Sequence, residues 1–166
     1  MAVRVSILTV SDRSSQGVRP DLSGPALRSA AQQQGWQIID TGIVPDEFDQ
    51  IAQKLTEWSD SGRCDLILTT GGTGFASRDV TPEATMSVME RQTSGLTQAI
   101  LIESLKITPH AMLSRAVSGI RGRTLIVNFP GSPKAAVETL NIILPVLPHA
   151  IELLRGDPAS EAGHHK

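Results

Sequence analysis

The sequence predicts an α/β fold, a three-layer α/β/α sandwich around a mostly parallel central sheet. Short apolar runs rich in β-branched residues alternate along the chain with segments whose apolar residues recur at helical spacing. Two of these runs lead directly into glycine-containing loops, as expected where buried strands end. With 166 residues, 40% hydrophobic and 19% charged, the chain fits one domain with one core. We therefore assign residues 1–156 to a single domain and expect residues 157–166 to form a flexible tail.

The first half of the chain predicts two strands and two helices. In order, these are a strand at residues 3–10, a polar loop at 11–23, a helix from Ser23 to Gly35, a strand at 37–44 and a helix from Phe48 to Gly62. The strands consist largely of β-branched and aliphatic residues, whereas apolar positions three to four residues apart predict the second helix. Glycine after each helix favours its termination.

The second half predicts two further buried strands and several helices. In order, these are a strand at residues 65–70, a helix from Thr81, a helical stretch at 98–106, a strand at 123–129 and a terminal helix from Ser132, kinked or divided at Pro145 and Pro148. Thr81 and Ser132 each precede a proline, so we predict that their hydroxyls cap the two helix N-termini.

Three loops are expected to meet at one edge of the sheet, because parallel strands end there together. They begin at Ser11, Thr69 and Asn128. The second loop carries the string TTGGTG, residues 69–74, whose glycines allow backbone N–H groups to approach the oxygens of an anion. The same string is also compatible with a tight turn. It matches neither the dinucleotide-binding GxGxxG pattern nor the phosphate-binding GxxxxGK[ST] pattern.

Two aspartates, Asp46 and Asp79, each stand just before a predicted helix. A carboxylate at such a position can hold Mg²⁺ against a bound polyphosphate, but it can equally be an acidic residue favoured by the helix dipole. Arg78, Ser132 and Lys134 leave the same choice open between anion binding and a structural role. Taken one at a time, these residues do not decide between the two interpretations.

Composition excludes several classes of function. A net charge of −2 and a pI near 6.1 argue against a nucleic-acid partner. No apolar run reaches the length of a membrane span, and a single cysteine, Cys64, is typical of a reducing compartment, so we expect a cytoplasmic protein that binds no membrane. His110 has no partner at metal-ligand spacing and no serine lies in a GxSxG motif, which disfavours metalloproteases and serine hydrolases.

Several short motifs, taken in order, resemble the molybdopterin adenylyltransferase family, in its bacterial MogA form and in the G domain of gephyrin. They cover the chain from about residue 3 to about residue 154: TVSDR at 9–13, SGP at 23–25, VPDE at 44–47, LTTGGTGF at 68–75, RDVTPEAT at 78–85, ESLKITP at 103–109, MLSR at 112–115, GIRG at 119–122 and NFPGSPKA at 128–135. Each string alone is unspecific, whereas the ordered set is highly specific. One departure is Phe129, where leucine or methionine is common in the family; we interpret it as a packing substitution.

The resemblance implies an activity and its partners. It implies that the protein transfers AMP from ATP to the terminal phosphate of molybdopterin, with Mg²⁺ as cofactor, and releases pyrophosphate. It further implies a homotrimer with a molybdopterin-binding-like fold. Eukaryotic relatives fuse a second catalytic domain that this sequence does not contain, so we expect a separate protein to insert molybdenum.

The resemblance also assigns roles to individual residues. It makes Asp46 and Asp79 the essential acidic pair that handles the metal and ATP. It assigns nucleotide binding to Thr70, Gly71, Gly72, Thr73 and Gly74. Substrate binding is assigned to Ser11, Asp12, Ser104, Ser114, Asn128, Pro130, Gly131, Ser132 and Lys134.

Two alternatives stay open at this stage. The first is a catalytically silent module that binds the pterin or acts as a trimeric scaffold; the string RDVTPE favours the enzyme, since such paralogues typically carry RDQTPE. The second is a nucleotide-dependent oxidoreductase, which the missing GxGxxG pattern disfavours.

Overall fold

Six strands form one sheet through the centre of the computed structural model, which describes residues 2–156. The strands are β1 Arg4–Val10, β2 Gln37–Val44, β3 Leu66–Thr70, β4 Arg91–Gln92, β5 Ser118–Arg121 and β6 Thr124–Phe129. Their order in the sheet is β2-β1-β3-β6-β5-β4. Strands β2, β1, β3 and β6 are parallel. Strand β5 pairs antiparallel with β6, and β4 pairs antiparallel with β5. The predicted mostly parallel sheet is confirmed. Met1 and the predicted tail at 157–166 lie outside the described residues.

Helices cover both faces of this sheet. They are α1 Asp12–Ser15, α2 Ser23–Gln33, α3 Phe48–Asp60, α4 Thr81–Val88, α5 Ser94–Leu105, α6 Pro133–Ile143 and α7 Leu147–Arg155, with a 3-10 helix at Pro109–Leu113. On one face α2, α6 and α7 pack together, and on the other face α3 packs against α4. The predicted three-layer α/β/α sandwich is therefore confirmed.

Alternate residues of the central strands supply two separate cores. In β6, Leu125 and Val127 face the α2–α6–α7 layer, whereas Ile126 faces the α3–α4 layer. Every residue of β3 and β6 is buried, because both faces of these strands are covered by helices. Phe129 is fully buried in the first core, which agrees with its interpretation as a packing substitution.

The elements that the sequence did not predict are short or irregular. They are α1, the 3-10 helix and the strands β4 and β5; in addition, α5 begins at Ser94, earlier than the predicted residue 98. β5 joins β6 through a two-residue turn at Gly122 and Arg123. Strands of two to four residues have too few positions for a periodic pattern, so their pairing with β6 defines them.

Helices α6 and α7 confirm the division predicted for the C-terminal helix. Pro145 lies in the break between them and Pro148 in the first turn of α7. The two helix axes are bent by 66°. Among the described residues, only this bent pair has the combined length and hydrophobicity of a membrane span, and no individual helix does.

A buried ion pair fastens the amino-terminal edge of the sheet. Asp65, directly before β3, is buried and accepts hydrogen bonds from the Arg4 N–H (2.9 Å), from Arg4 Nη2 (2.8 Å) and from Arg155 Nε (3.1 Å). Burial by itself raises the pKa of Asp65, but the hydrogen bonds from the two arginines outweigh it and hold that pKa well below its usual range. The carboxylate thus joins β1, β3 and the end of α7.

The substitution Asp65→Asn tests this contribution. Because the folded-state pKa is depressed, the charge stabilises the fold above the pKa of an unfolded aspartate, about 3.9, and this stabilisation is lost as the pH falls below that value. We expect the variant to lose about 3 kcal/mol of unfolding free energy at neutral pH. The difference from the natural chain should shrink steadily once the pH falls below about 4. Urea denaturation at a series of pH values measures both effects.

The exposed pair of Asp40 with Arg63 (2.8 Å) provides a matched control. Asp40→Asn should change the unfolding free energy by no more than about 1 kcal/mol, since solvent screens such pairs. A gap between the natural chain and Asp65→Asn that stays constant down to the lowest pH would contradict the role given to Asp65.

Candidate functional site

The carboxyl ends of β1, β3 and β6 lie side by side at one edge of the sheet. Thr9 of β1 is opposite Thr70 of β3, and Thr70 is opposite Phe129 of β6. The Gly71 N–H donates to the Phe129 carbonyl over 3.1 Å, so the loops after β3 and β6 leave the sheet together. The three loops predicted to meet here do so, as the parallel register requires.

A cavity of about 470 Å³ opens between these loops, and we call it the carboxylate cavity. Both members of the predicted acidic pair, Asp46 and Asp79, line it. The other predicted site residues in its wall are Ser11, Thr70, Gly71, Gly72, Gly131 and Ser132. Its volume is in the range of small-ligand sites.

Two consecutive glycines shape the wall of this cavity. Gly71 has a φ of 101° and Gly72 a φ of 67°, a region that residues with a side chain rarely adopt. A Cβ atom on Gly71 would collide with the carbonyl oxygen of Val10, and one on Gly72 with the hydroxyl of Thr81. The glycine backbone therefore packs directly against the end of β1 and the start of α4.

Thr81 is not the helix cap that the sequence predicts. The capping position of α4 is Val80, and the fully buried Thr81 hydroxyl instead donates to the Gly71 carbonyl over 2.9 Å. The Thr81 N–H donates to the Gly72 carbonyl over 3.1 Å. Thr81 thus fastens the glycine pair to α4. Ser132, by contrast, caps α6 as predicted by accepting from the Ala135 N–H over 3.4 Å.

Asp46 is oriented by a reciprocal pair of hydrogen bonds with Asp12. The Asp12 N–H donates to Asp46 Oδ2 over 2.9 Å, and the Asp46 N–H donates to Asp12 Oδ1 over 3.0 Å. Arg78 donates through Nε and Nη2 to the two carboxylate oxygens of Asp12, each over 3.0 Å, and also to Glu47 over 2.8 Å. Within the described residues Asp46 itself forms no ion pair.

The two neighbouring aspartates therefore differ electrostatically. Burial raises the pKa of Asp46, and the charges of Asp12 and Asp79 raise it too, against the Asp12 N–H and the charge of Arg78, which lower it. The hydrogen bonds from Arg78 hold the pKa of Asp12 below its ordinary value. Asp12 is already compensated by a cation, whereas Asp46 is the carboxylate that a bound cation would stabilise.

Hydrogen bonds hold both the carboxylate and the backbone carbonyl of Asp79. Its Oδ2 atom accepts from the Ala76 N–H over 3.1 Å, and its carbonyl accepts from Arg115 Nη2 over 2.6 Å. Arg115 also donates through Nε to the Gly74 carbonyl over 2.8 Å, and its Nη1 pairs with Glu83. One guanidinium group therefore joins the glycine loop, Asp79 and the first turn of α4.

A second cavity of about 480 Å³, which we call the apolar cavity, adjoins the same loops. Residues of α5, α6 and the 3-10 helix line it, and most of its wall surface is formed by apolar atoms. The predicted site residues in its wall are Thr73, Gly74, Ser104, Ser114 and Pro130. Consecutive residues of the glycine loop and of the loop after β6 thus line different cavities, so these two loops form a shared partition.

Three residues that the sequence assigns to substrate binding line neither cavity. Asp12 is engaged with Asp46 and Arg78, as described above. Asn128 is buried, and its Nδ2 donates to the hydroxyls of Thr69 and Thr85 over 3.0 and 2.9 Å. The Lys134 side chain is 84% exposed on the surface of α6. We correct the role of Asn128 accordingly: it ties β6 to β3 and α4 behind the site.

Sequence reasoning did not identify two residues that build the site. Asp21 lines the carboxylate cavity, where its carboxylate accepts from the Thr9 hydroxyl over 2.7 Å and from the Gly24 N–H over 3.1 Å. Asp21 thus satisfies a free N–H in the first turn of α2 from just before its capping position, Leu22. An aspartate three residues before a free helical N–H is a recognisable signal. Arg115 carries no local signal, because all its partners are more than 30 positions away.

Comparison with known proteins agrees with this geometry. The family described as "Probable molybdopterin binding domain" matches residues 6–149. Gephyrin of Dictyostelium discoideum is 47% identical over 94% of this chain, although the chain spans only 23% of that protein. Molybdopterin adenylyltransferase of Helicobacter pylori is 40% identical, with 93% of this chain and 89% of that protein covered.

The same relationship appears in three dimensions. The crystal structure of the molybdopterin biosynthesis enzyme MoaB from Thermus thermophilus superposes with a TM-score of 0.88 at 48% identity, covering 94% of this chain and 98% of that one. The chain belongs to the molybdopterin adenylyltransferase family.

Proposed function

We propose that the protein is a molybdopterin adenylyltransferase, which transfers AMP from ATP to the terminal phosphate of molybdopterin and releases pyrophosphate. The observation that carries this proposal is the pair of ligand-sized cavities that share a partition of two loops, with Asp46 and Asp79 in one of them. Two substrates must be held next to each other for a group transfer, and this arrangement suits two. Relatives of nearly the same length carry this activity in their names.

The carboxylate cavity is the proposed site of the nucleotide phosphates. Its wall combines the backbone of Gly71 and Gly72 with the start of α6 at Ser132 and Pro133. N–H groups at a glycine turn and at a helix N-terminus favour phosphate oxygens. The apolar cavity, with Ser104 and Ser114 in its wall, is the proposed site of the pterin.

Asp46 and Asp79 are the residues proposed to hold Mg²⁺. The fit is chemical: Mg²⁺ takes oxygen ligands and is commonly held by one or two carboxylates together with substrate phosphates. When bound there, Mg²⁺ would neutralise phosphate charge during the transfer.

The chain's own residues supply positioning. A phosphate oxygen of molybdopterin forms a bond to the α-phosphorus of ATP, and the bond from that phosphorus to the bridging oxygen breaks, so that the electron pair leaves with pyrophosphate. No protein nucleophile takes part in this exchange. The partition between the cavities has to hold the two reacting atoms in line, which is the main catalytic task in phosphoryl-type transfers.

The experiment that tests the activity is adenylylation by the purified protein with ATP, Mg²⁺ and molybdopterin. Formation of adenylylated molybdopterin and pyrophosphate separates the enzyme from a silent pterin-binding paralogue, which would bind molybdopterin without turnover.

The product is proposed to pass to a separate molybdenum-insertion protein. A cytoplasmic location is also proposed; in support, the sequence contains one cysteine, Cys64, as is typical of proteins in a reducing compartment.

The proposed assembly is a homotrimer, and α5 supports it. None of the 12 residues of this helix is buried, although apolar residues lie all around it. The exposed apolar residues on and after the helix that line neither cavity are Ile102, Leu105 and Met112. An exposed apolar helix of this kind is typical of a contact between subunits, and the occupant we propose is two further copies of the chain.

The acidic pair gives the first activity prediction. Asp46→Asn and Asp79→Asn should each lower kcat for adenylylation at least about 100-fold, because the metal loses a charged ligand at the reacting phosphates. Both residues lie at the surface of a cavity, so the midpoint of urea unfolding should stay close to that of the natural chain. Asp40→Asn, on the exposed edge strand β2, serves as the control and should keep full activity. Normal turnover by both cavity variants would refute the assigned roles.

Arg115 gives a second prediction, as a positioning residue. Arg115→Ala removes the hydrogen bonds to the Gly74 and Asp79 carbonyls, so kcat should fall roughly 10- to 100-fold while the KM for molybdopterin changes much less. Arg115→Lys should not restore kcat, since lysine lacks the planar fork that reaches both carbonyls.

The control for Arg115 is Arg121, which also combines an ion pair, to Asp60, with a hydrogen bond to a backbone carbonyl, that of Val88. Arg121 lines neither cavity. Arg121→Ala should therefore affect stability without affecting kcat. Equal kcat values for the two alanine variants would show that Arg115 has no special effect on the site.

The assembly gives a third prediction. Ile102→Lys places a charge in the exposed apolar surface of α5, and sedimentation at matched concentration should show a 17.7 kDa monomer in place of a species of three chains. Val18→Lys alters another exposed apolar residue, away from α5, and should leave the assembly intact. A monomeric natural chain would contradict the proposed trimer.

A further inference from the structure

The apolar cavity contains a single acidic side chain. Among the described residues that line it, Glu138 alone carries a carboxylate, and none is a lysine or an arginine. Its other walls include Ile100, Leu101, Ile107 and Leu113. The wall also contains His110, but no lysine or arginine with which to hold a phosphate group. The cavity therefore suits an uncharged ring that offers hydrogen-bond donors to one carboxylate.

The Glu138 carboxylate is available for such a ring. It lies in the second turn of α6, after the loop that separates the two cavities. The Glu138 side chain is 37% exposed, and its ion-pair partner is Lys134 Nζ at 3.9 Å, on a side chain that is itself 84% exposed. A solvated pair at that distance holds the carboxylate weakly. Within residues 2–156 the Glu138 side chain has no hydrogen bond.

The edge of a pterin matches a carboxylate. The ring carries an N3–H group beside a 2-amino group, so two parallel donors face the two oxygens of a carboxylate in a bidentate arrangement. Adenine presents a donor beside an acceptor and pairs instead with a side-chain amide. Glu138 therefore favours a pterin, whereas Gln98 in the same wall carries the amide that adenine would use.

We propose that Glu138 is the specificity-determining residue for the pterin ring, with its carboxylate accepting hydrogen bonds from N3–H and the 2-amino group. This assignment rests on the proposed function, since that function supplies the pterin. The phosphate end of the substrate then lies toward Thr73 and Gly74, which line the same cavity and belong to the partition next to the carboxylate cavity.

The test changes the hydrogen-bonding groups of the side chain at position 138 and, in parallel, those of the ring. The probes are 6-hydroxymethylpterin and 6-hydroxymethyllumazine, in which a 2-oxo group replaces the 2-amino group. Their binding to the full chain is followed by ring fluorescence in the absence of ATP. The natural chain should prefer the pterin roughly 10-fold or more, because lumazine presents an acceptor to a carboxylate oxygen. Glu138→Gln has one donor and one acceptor, which match the 2-oxo and N3–H groups, so its preference should reverse.

The matched control is Glu57→Gln on α3, where Glu57 pairs with Lys54 over 2.9 Å and lies outside both cavities. It should keep the preference of the natural chain. An unchanged pterin preference in Glu138→Gln, or a natural chain that binds the two rings equally or binds neither, overturns the assignment of Glu138.

The adenylylation assay keeps this inference separate from the proposed function. If the ring preference reverses in Glu138→Gln while no adenylylated product forms with the natural chain, the role of Glu138 stands and the proposed reaction fails. If product forms but the preference does not reverse, the reaction stands and the role of Glu138 fails. In an active enzyme, Glu138→Gln should raise the KM for molybdopterin roughly 10-fold or more and leave the KM for ATP unchanged.

Discussion

The packing of the Gly71–Gly72 backbone against the end of β1 and the start of α4 is the constraint on which the functional edge depends. Val10 and Thr81 occupy the space that a Cβ atom would need, so the loop passes between β1 and α4 without any side chain of its own there. The buried Thr81 hydroxyl secures the Gly71 carbonyl. This close approach brings the segment before α4, which carries Asp79, next to the loop after β2, which carries Asp46.

Charges are distributed differently at the two edges of the sheet. At the amino-terminal edge, Asp65 is fully compensated by Arg4 and Arg155, and the result is a rigid connection between strands and helix α7. At the carboxyl edge, Arg78 compensates Asp12, while Asp46 is half-buried beside like charges. A carboxylate in that environment is costly for the empty protein and becomes favourable when a cation binds. The fold thus concentrates its stability at one edge and its binding capacity at the other.

The two cavities divide the chemistry between a polar and an apolar compartment. Backbone N–H groups and carboxylates suit a metal-bound polyphosphate, whereas the apolar walls of the second cavity suit a ring. In each of the two loops of the partition, neighbouring residues line different cavities, so a movement of one loop alters both cavities. Arg115 ties one of these loops to Asp79, which links the geometry of the partition to the acidic pair. The unburied helix α5 contributes to the apolar cavity and also carries the surface proposed for subunit contact.

The sequence alone determined the class of fold, the central strands and the edge at which function would lie. The apolar runs of β1, β3 and β6 are long and continuous enough to predict buried strands, and their ends locate the loops. The ordered motifs singled out Asp46 and Asp79. Only the tertiary structure decided which candidates line a cavity. Asn128 turned inward to Thr69 and Thr85, Thr81 bound the glycine loop instead of capping its helix, and Arg115 joined segments far apart in the chain. Local patterns record burial and capping preferences, whereas these outcomes depend on contacts between residues that the chain brings together only when the whole sheet has formed.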